Sequence, residues 1–352
     1  MNIDQLETPV PVIDLDRVER NLAKMQAYCD QHGLKLRPHI KTHKLPQFAL
    51  RQLALGAGGI TCQKLGEAEV MADAGVTDIL LSYPMIGPIK AARLAALAKR
   101  VSMRVVVDNP VALETVASAA RQAGAEIGVL VEFDSGGKRT GVVTVDEALA
   151  LAQAIIATDG LRFDGLMTYP SSAETARFVA AAKQRLGGEG IEIRIVSGGG
   201  TPNVWHQHEI EGLTELRVGT YIYHDRATVG AGVAALDDCA LHLHATVVSR
   251  PTENRAIIDA GSKSLSSDRV APSVGEGYGL ILEYPDAIIE RLNEEHGILD
   301  LTHSARKPAI GERVRIVPNH VCVVTNLHDE VVTSRNGLVE ATLPVAARGR
   351  TR

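Results

Sequence analysis

Short apolar runs alternate with Ala- and Leu-rich helical stretches between residues 34 and 218. Eight of the apolar runs are typical of β-strands: LKLRP (34–38), GGITC (58–62), DILLSY (78–83), MRVVVD (103–108), IGVLVEF (127–133), FDGLMTY (163–169), IRIVSGG (193–199) and LTELRVG (213–219). Several are continuously apolar, as expected of strands that are covered on both faces. Eight strands that alternate with helices predict an α/β fold, a (β/α)8 TIM-type barrel, and a doubly wound sheet is the competing arrangement.

The pattern changes after residue 236, where strand-like runs are separated by Gly, Pro, Asn or Asp turns and little helical period remains. The SRNG turn between two such runs is typical of a β-hairpin. We therefore expect a barrel domain at 15–236, which begins with a helix at about 16–32. A C-terminal, mostly β domain follows at 237–352, completed by an N-terminal strand, PVPVIDL, within residues 1–14.

Composition narrows the class of protein. The chain of 352 residues carries a formal net charge of −5 and has no Lys/Arg cluster, which argues against a nucleic-acid partner. No run approaches the roughly 18 apolar residues of a membrane span. The four cysteines are widely spaced, and the acidic N-terminus lacks an apolar signal segment. We expect a cytoplasmic protein with reduced thiols.

A basic segment, RPHIKTHK (37–44), follows the first predicted strand. Working residues in such barrels lie at the C-terminal ends of the strands. If the strand runs on to Lys41, then His39 and Lys41 point to the same face. A lysine that is desolvated at a barrel mouth has a lowered pKa and can act as a Schiff-base nucleophile. A solvated basic loop explains the same pattern equally well.

Two glycine-rich loops follow strands seven and eight, SGGGTPN (197–203) and VGTYIY (218–223). Successive backbone N–H groups in such loops bind phosphate, and these barrels favour the loops after strands seven and eight. Tight turns also explain most glycine loops. After strands five and six, Arg139 is a candidate for holding a ligand oxygen and Tyr169 for stacking on a ring, although each residue is more often structural.

A candidate metal pair lies in the β domain, within PNHVC (318–322). His320 and Cys322 are two residues apart, so on a strand their side chains would share one face. An imidazole and a thiolate are ligands that zinc prefers. With only two protein ligands, the remaining coordination positions are open to water and substrate, as at a catalytic metal. A buried cysteine beside a hydrogen-bonded histidine is the competing interpretation. His328 and His296 are candidates for the same neighbourhood.

At these motifs the chain resembles the D-threonine aldolase and D-serine dehydratase family, whose members share the pyridoxal-phosphate (PLP) barrel of the alanine racemases. The resemblance runs essentially end to end. It is carried by TPVPVIDLDRVERNLAKMQ, RPHIKTHK, GITCQKLGEAEVMADAG, SGGGTPN, VGTYIYHD, IIDAGSKS, EEHG and PNHVC…NLHD. The pair RPHxK and PNHxC is the most specific part.

The resemblance implies that Lys41 binds PLP covalently and that Lys41 and His320 are catalytic. His320 and Cys322 would bind a divalent metal, zinc, manganese or magnesium, that gathers the β-hydroxyl of a small D-amino acid. It also implies a head-to-tail homodimer. The further cofactor-binding residues that it implies are His39, Gln63, Arg139, Tyr169, Ser197, Gly199, Gly200, Thr201, Gly219, Thr220 and Tyr221.

The resemblance supports two reactions at one site. Cys322 and the segment after Tyr169, Pro170–Glu174, are closer to the dehydratases of D-serine or D-threo-3-hydroxyaspartate. NLHDEVV, LPVAARGR and ALRQLALGAGGITCQK are closer to the aldolases, and they favour cleavage of D-threonine to glycine and acetaldehyde. An amino-acid racemase and a non-catalytic PLP carrier are further alternatives. No second base for a racemase is identifiable, and a carrier needs no metal.

Overall fold

In the computed structural model, which describes residues 1–352, the chain divides into two units. The barrel unit comprises residues 25–41, 46–219 and 350–352, and the β unit comprises residues 1–24, 42–45 and 220–349. Residues 220–236 fall in the β unit, where the N–H of Ala240, just before β10, donates to the Tyr223 carbonyl (2.7 Å). The domain limits expected from the sequence, 15–236 and 237–352 with 1–14, stay a prediction.

The strands follow the predicted runs closely. In chain order they are β1 (Val10–Asp14), β2 (Lys35–Leu36), β3 (Ile60–Cys62), β4 (Asp78–Leu81), β5 (Ser102–Val107), β6 (Ile127–Glu132), β7 (Leu161–Met167), β8 (Ile195–Gly198), β9 (Glu215–Leu216), β10 (Leu241–Thr252), β11 (Arg255–Ile258), β12 (Gly279–Ile281), β13 (Ile288–Leu292), β14 (Gly297–Asp300), β15 (Arg313–Pro318), β16 (Glu330–Arg335) and β17 (Leu338–Pro344).

The α-helices alternate with the strands from β1 to β8 and are few afterwards. They are α1 (Leu15–Gln31), α2 (Pro46–Ala54), α3 (Leu65–Asp73), α4 (Pro88–Ala98), α5 (Pro110–Ala123), α6 (Val145–Ile156), α7 (Ala173–Gly187), α8 (Arg226–Gly230), α9 (Ser262–Leu265) and α10 (Val321–Leu327). None of them combines the length and the apolar composition that crossing a bilayer would require.

Eight parallel strands form the sheet of the barrel unit, in the order β2-β9-β8-β7-β6-β5-β4-β3. The two ends of this order meet at a parallel bridge between His39 and Thr61. There the Thr61 N–H donates to the Pro38 carbonyl (2.7 Å) and the Ile40 N–H to the Thr61 carbonyl (2.9 Å). The predicted (β/α)8 barrel is therefore confirmed, and the doubly wound arrangement is excluded.

The interior of the barrel explains why its strands are continuously apolar. Leu80, Val106, Leu130 and Met167, from four successive strands, form one buried cluster. Helices cover the outer face of the barrel sheet. Both faces of a strand such as β6 are therefore buried, and all of its residues are inaccessible to solvent. Burial of both faces is what distinguishes these strands in the sequence from the alternating strands of a half-exposed sheet.

A nine-stranded sheet organises the β unit around the long strand β10, which pairs with β1, β11 and β15. The predicted N-terminal strand is β1, antiparallel to β10 and parallel to β16. The predicted hairpin is formed by β16 and β17, and both residues of its turn, Asn336 and Gly337, have positive φ (48° and 76°). A turn with two positive φ values matches the twist of the strands that it joins.

Two buried histidines of β10 give the β unit a pH dependence. Burial lowers the pKa of His242 to about 3 and that of His244 to about 4, from an ordinary value of 6.5, and nearby arginines lower both further. The Nε2 atom of His242 has no hydrogen-bond partner. Since the unfolded chain takes up these protons at higher pH than the folded chain, the folded state loses stability as the pH falls from about 6.5 towards 4.

Replacing His242 should reduce this pH dependence. In His242→Leu, one proton fewer is taken up on unfolding, so the slope of the unfolding free energy between pH 6 and 4.5 should fall by about 1.4 kcal/mol per pH unit. Urea denaturation at several pH values measures this slope. His303→Leu, at an exposed position, is the control. An unchanged slope for His242→Leu would show that His242 is not held neutral by burial.

Candidate functional site

Lys41 lies in a turn after the first barrel strand. The strand β2 ends at Leu36, and beyond it His39 forms only an isolated bridge. The strand therefore does not run on to Lys41, because the chain turns after Ile40 and the Lys41 N–H lies 3.4 Å from the Nδ1 atom of His39. The side chain of Lys41 is half-buried. The turn still places Lys41 at the C-terminal rim of the barrel, where such barrels carry their working residues.

His39 is held by a small polar network at the ends of three strands. Its Nε2 atom lies 3.1 Å from Oε1 of Gln63 and 3.4 Å from Oγ of Ser82. The Gln63 side-chain amide in turn donates to the Ser82 carbonyl (3.3 Å). Since Oε1 of Gln63 only accepts, the His39 proton belongs on Nε2, and Nδ1 accepts the N–H of Lys41. The network therefore fixes one tautomer of His39 and supports the turn that carries Lys41.

Arg139 and Tyr169 come together as expected. The Cζ atom of the Arg139 guanidinium lies 4.9 Å from the centroid of the Tyr169 ring, a cation–π distance. Gly200 lies beside the same ring, since a Cβ atom added to Gly200 would be 3.6 Å from the Tyr169 ring edge. This space beside the ring is open because residue 200 is a glycine, so a flat ligand placed against Tyr169 could also reach the glycine-rich loop.

The glycine-rich loop after β8 has a backbone that only glycine adopts readily. Gly199 and Gly200 have φ values of +145° and +150°, and a Cβ atom on Gly199 would lie 2.2 Å from the carbonyl oxygen of Arg217. The N–H of Gly199 is already donated to Oγ of Ser171 (2.6 Å), so it is not available to an anion. Thr201 begins a 3-10 helix, Thr201–Glu209. Phosphate binding by Gly199, Gly200 and Thr201 stays a prediction.

Ser197 belongs to a buried polar relay inside the barrel. Its hydroxyl donates to Oε1 of Glu215 (2.6 Å) and accepts from Nε of Arg217 (2.9 Å). Arg217 also donates to the carbonyl of Thr168 (2.6 Å), and Arg37 donates to the second oxygen of Glu215 (2.7 Å). Burial lowers the pKa of Arg217 to about 10. Cofactor binding by Ser197 stays a prediction, and no pattern in the sequence distinguishes Arg217 from a structural arginine.

The second predicted phosphate loop follows β9. Gly219 ends the long segment of the barrel unit, and Thr220 and Tyr221 begin a 3-10 turn of the β unit, Thr220–Ile222. The Thr220 carbonyl accepts the N–H groups of Tyr223 (3.1 Å) and His224 (2.7 Å). Tyr221 is buried. The cofactor-binding roles of Gly219, Thr220 and Tyr221 also stay predictions.

His320 and Cys322 are brought together, but not on a strand. The strand β15 ends at Pro318, His320 is the N-cap of α10, and Cys322 is the second residue of that helix. The expectation that they share one face of a strand is wrong, because the helix begins directly after His320. Their side chains nevertheless form a hydrogen bond. The Oγ1 atom of Thr42, the residue that follows Lys41 in the chain, lies 3.1 Å from Sγ of Cys322.

Asp225 orients His320. The carboxylate of Asp225 is fully buried, and its Oδ2 atom lies 2.9 Å from Nδ1 of His320 and accepts the N–H of Val321 (3.2 Å). Its Oδ1 atom accepts the N–H of Thr228 (2.9 Å). Burial lowers the pKa of His320, but the bonds to Asp225 and Cys322 outweigh it and raise that pKa to about 10. Nδ1 therefore carries a proton that it donates to Asp225, and Nε2 is the nitrogen that can coordinate a metal once it has lost its own proton.

This donor set fits a divalent metal of the zinc type. A ligating imidazole almost always donates its other N–H to a carboxylate or a carbonyl, as His320 does to Asp225. The Cys322 thiol supplies a soft second donor. His328 and His296 do not join the pair, since Nε2 of His328 lies 2.9 Å from the Ser264 carbonyl and His296 lines a separate cavity of about 430 Å³. No group of three His, Cys, Asp or Glu side chains surrounds a metal position.

Asp225→Asn should weaken metal binding at His320 and Cys322 by 10–100-fold, the effect expected when a carboxylate behind a ligating histidine is lost. Both Asp225 oxygens accept backbone N–H groups, so an asparagine must turn its NH₂ towards one of these donors. Calorimetric titration of chelator-treated protein with Zn²⁺ measures the affinity. Asp237→Asn, at a carboxylate that is 95% exposed in the same unit, is the matched control. Equal affinity in Asp225→Asn and the parent protein would contradict the assignment.

Comparisons with known proteins agree with this geometry. Residues 13–227 match the model of the alanine racemase N-terminal domain, and residues 240–334 match a putative serine dehydratase domain. The chain is 40% identical to a D-threonine aldolase from Arthrobacter sp., over 99% of this chain and 94% of that protein. It is 36% identical to a D-threo-3-hydroxyaspartate dehydratase from Delftia sp. (strain HT23), over 90% of this chain and 91% of that protein.

A solved structure gives the same result for the fold. The crystal structure of D-threonine aldolase from Filomicrobium marinum superimposes with a TM-score of 0.90 at 36% identity and covers 100% of this chain and 98% of that one. Both sequence matches and the structural match extend across the barrel strands and the sheet of the β unit. The chain belongs to the D-threonine aldolase and D-serine dehydratase family of lyases, built on the alanine racemase N-terminal barrel.

Proposed function

We propose that this protein is a PLP- and divalent-metal-dependent aldolase that cleaves D-β-hydroxy-α-amino acids, D-threonine among them, to glycine and an aldehyde. The observation that carries the proposal is the orientation of His320 by Asp225 next to Cys322, in a chain that is 40% identical to a D-threonine aldolase over almost its whole length. A metal held by these donors would be suited to binding the substrate β-hydroxyl group, which both candidate reactions require.

The barrel rim fits PLP. Lys41 is the residue that would bind the cofactor covalently, and the network of His39, Gln63 and Ser82 holds the turn on which Lys41 lies. Tyr169 would lie against the cofactor ring and Arg139 near its phenolic oxygen. PLP, when bound, supplies an electron sink for the bond that breaks at the substrate Cα. The open space beside Tyr169, where Gly200 has no side chain, supports this placement.

The glycine loops would hold the cofactor phosphate, through Gly199, Gly200 and Thr201 after β8 and Gly219, Thr220 and Tyr221 after β9. Because the Gly199 N–H is donated to Ser171, the contribution of Gly199 would be the shape of the loop rather than a hydrogen bond: its positive φ lets the loop pack directly against the backbone of Arg217. His320 and Cys322 would hold zinc, manganese or magnesium, which supplies a Lewis acid at the substrate hydroxyl. Asp225 keeps a proton on Nδ1 of His320, which leaves Nε2 as the nitrogen that would bind the metal.

A dehydratase is the second candidate, acting on D-serine or D-threo-3-hydroxyaspartate. Two observations favour it: the thiol of Cys322, and 36% identity to a D-threo-3-hydroxyaspartate dehydratase. Both reactions use a lysine at the cofactor and a metal at the β-hydroxyl. They differ in which bond to the substrate Cα breaks first, Cα–Cβ in the aldolase and Cα–H in the dehydratase, and orientation of the substrate decides this.

Assembly and location complete the proposal. By resemblance to the family, two copies would associate head to tail, so that the β unit of each copy closes the barrel mouth of the other. The location would be cytoplasmic, where thiols are kept reduced. The four free cysteines, none of which forms a disulfide, are compatible with that compartment.

The products formed from two substrates test the function directly. Protein loaded with PLP and Mn²⁺ should convert D-threonine to equal amounts of glycine and acetaldehyde and leave L-threonine unchanged. D-Serine should yield little pyruvate and ammonia. Chromatography of the amino acids with an enzymatic assay of acetaldehyde measures the products.

Each other outcome has a defined meaning. A keto acid and ammonia from D-serine or D-threo-3-hydroxyaspartate, with no glycine from D-threonine, would replace the aldolase by the dehydratase. If none of these D-β-hydroxy amino acids yields glycine with an aldehyde, or a keto acid with ammonia, both the aldolase and the dehydratase are contradicted. His320→Ala should lose turnover while it retains bound PLP, whereas the exposed His303→Ala control should retain both.

A further inference from the structure

A buried carboxylate at the barrel rim has no assigned partner for one of its oxygens. Glu132 is the last residue of β6 and is only 2% exposed. Its Oε1 atom accepts a hydrogen bond from Oγ1 of Thr140 (2.8 Å). Its Oε2 atom is buried without any hydrogen-bond partner. A buried carboxylate oxygen without a hydrogen-bond partner destabilises the folded protein. The presence of such an oxygen on Glu132 therefore requires an explanation, and a function of the carboxylate is one.

Glu132 lies at the base of the loop that carries Arg139. This loop, residues 134–141, is closed by hydrogen bonds from the Val142 N–H to the Glu132 carbonyl (2.9 Å) and from the Asp134 N–H to the Val142 carbonyl (3.0 Å). Thr140, which binds the Glu132 carboxylate, is the immediate neighbour of Arg139 in the sequence. The side chain of Glu132 is therefore coupled through one residue to the backbone that presents Arg139.

Two arginines and one carboxylate act on Glu132 electrostatically. Burial raises the pKa of Glu132, the positive charges of Arg217 and Arg139 lower it, and the negative charge of Asp108 raises it further. Arg139 stacks on Tyr169, and Arg217 is buried with only hydroxyl and carbonyl oxygens as hydrogen-bond partners, Ser197 and Thr168. Neither guanidinium forms an ion pair with Glu132, so the two arginines act on it only through space, and burial still leaves the pKa of Glu132 above its ordinary value.

We propose that Glu132 is a positioning residue for the cofactor ring: it anchors the Arg139 loop through Thr140, and its charge offsets Arg139 and Arg217 beside the ring. The inference rests on the proposed function, since it assumes that PLP binds at Arg139 and Tyr169. An anchor for Thr140 alone does not need a charge, because a glutamine would accept the same hydrogen bond without the desolvation cost of a carboxylate. The charge is therefore the part of Glu132 that requires a function.

The protonation of the lysine–cofactor linkage reports this charge. Glu132→Gln keeps an acceptor for Thr140 and removes the negative charge, so the protonated linkage is disfavoured. The pH midpoint of the visible absorption band of bound PLP should move down by about one unit, the order expected when a unit charge is removed from a partly buried site. Glu132→Asp keeps the charge but shortens the reach to Thr140, so it should retain the midpoint while kcat falls.

Two further variants separate the charge of Glu132 from general effects. Arg139→Gln removes a cation from the same place and should move the midpoint up, and the double variant with Glu132→Gln should return towards the parent value. Asp108→Asn removes a half-buried carboxylate from the end of β5, where it accepts the Gly141 N–H (3.0 Å), and should move the midpoint less than Glu132→Gln does. Thermal melting of the PLP-free proteins checks that each variant is folded.

The outcomes distinguish this inference from the proposed function. If the parent protein shows no visible PLP band, the proposed function fails, and this inference fails with it. If the parent protein shows the band and folded Glu132→Gln keeps its midpoint within about 0.2 pH units, Glu132 is neutral or merely structural and only this inference fails. A shift in Glu132→Gln together with an unshifted Glu132→Asp would establish the charge as the cause.

Discussion

Closure of the parallel sheet between His39 and Thr61 is the constraint on which the barrel site depends. The hydrogen bonds of Thr61 and Ile40 join the two ends of the strand order, and the His39 N–H reaches the carbonyl of Val218 (2.8 Å) on the opposite side. One short segment of chain is thereby bonded to the ends of both the second and the eighth barrel strand. Lys41 is positioned by this closure, because the turn that carries it begins where the bridge ends. The same closure places the segment around Lys41 beside Gln63, which follows the second barrel strand, and Gly219, which follows the eighth.

Most of the fold was predictable from the sequence because burial on both faces leaves a simple pattern. All eight barrel strands, the N-terminal strand and the final hairpin follow from apolar runs and turn residues, and the domain that carries few helices was recognisable from the loss of helical period. The ends of elements were not predictable in the same way. The first barrel strand does not reach Lys41, and His320 was expected within a strand but caps a helix, because the chain changes direction at both places. In each case, single hydrogen bonds decide the geometry, from the Ile40 N–H to Thr61 and from the Val321 N–H to Asp225, and both partners are far away in the sequence.

The candidate site was predictable only for residues with a distinctive chemical type at a strand end, such as Lys41, Tyr169, His320 and Cys322. Asp225 was missed because an aspartate before a short helix is expected simply as an N-cap, and one of its oxygens does cap α8 through Thr228. Its second role requires that the other oxygen meet a histidine 95 positions later. Glu132 and Arg217 lie inside apolar strand runs, where nothing local distinguishes a functional charge from a structural one. What the structure adds to the sequence is thus mainly the set of carboxylates that hold the predicted residues in place.

The central claim is that Lys41 binds the cofactor, and chemical trapping tests it most directly. The protein would be incubated with PLP, reduced with sodium borohydride so that the linkage becomes permanent, digested, and mapped by mass spectrometry. The account predicts a single modified site on Lys41, within the peptide that contains His39 and Thr42, and no modification when D-threonine displaces the lysine before reduction. Stable modification of a different lysine, such as the buried Lys44 three residues further on, would contradict the account.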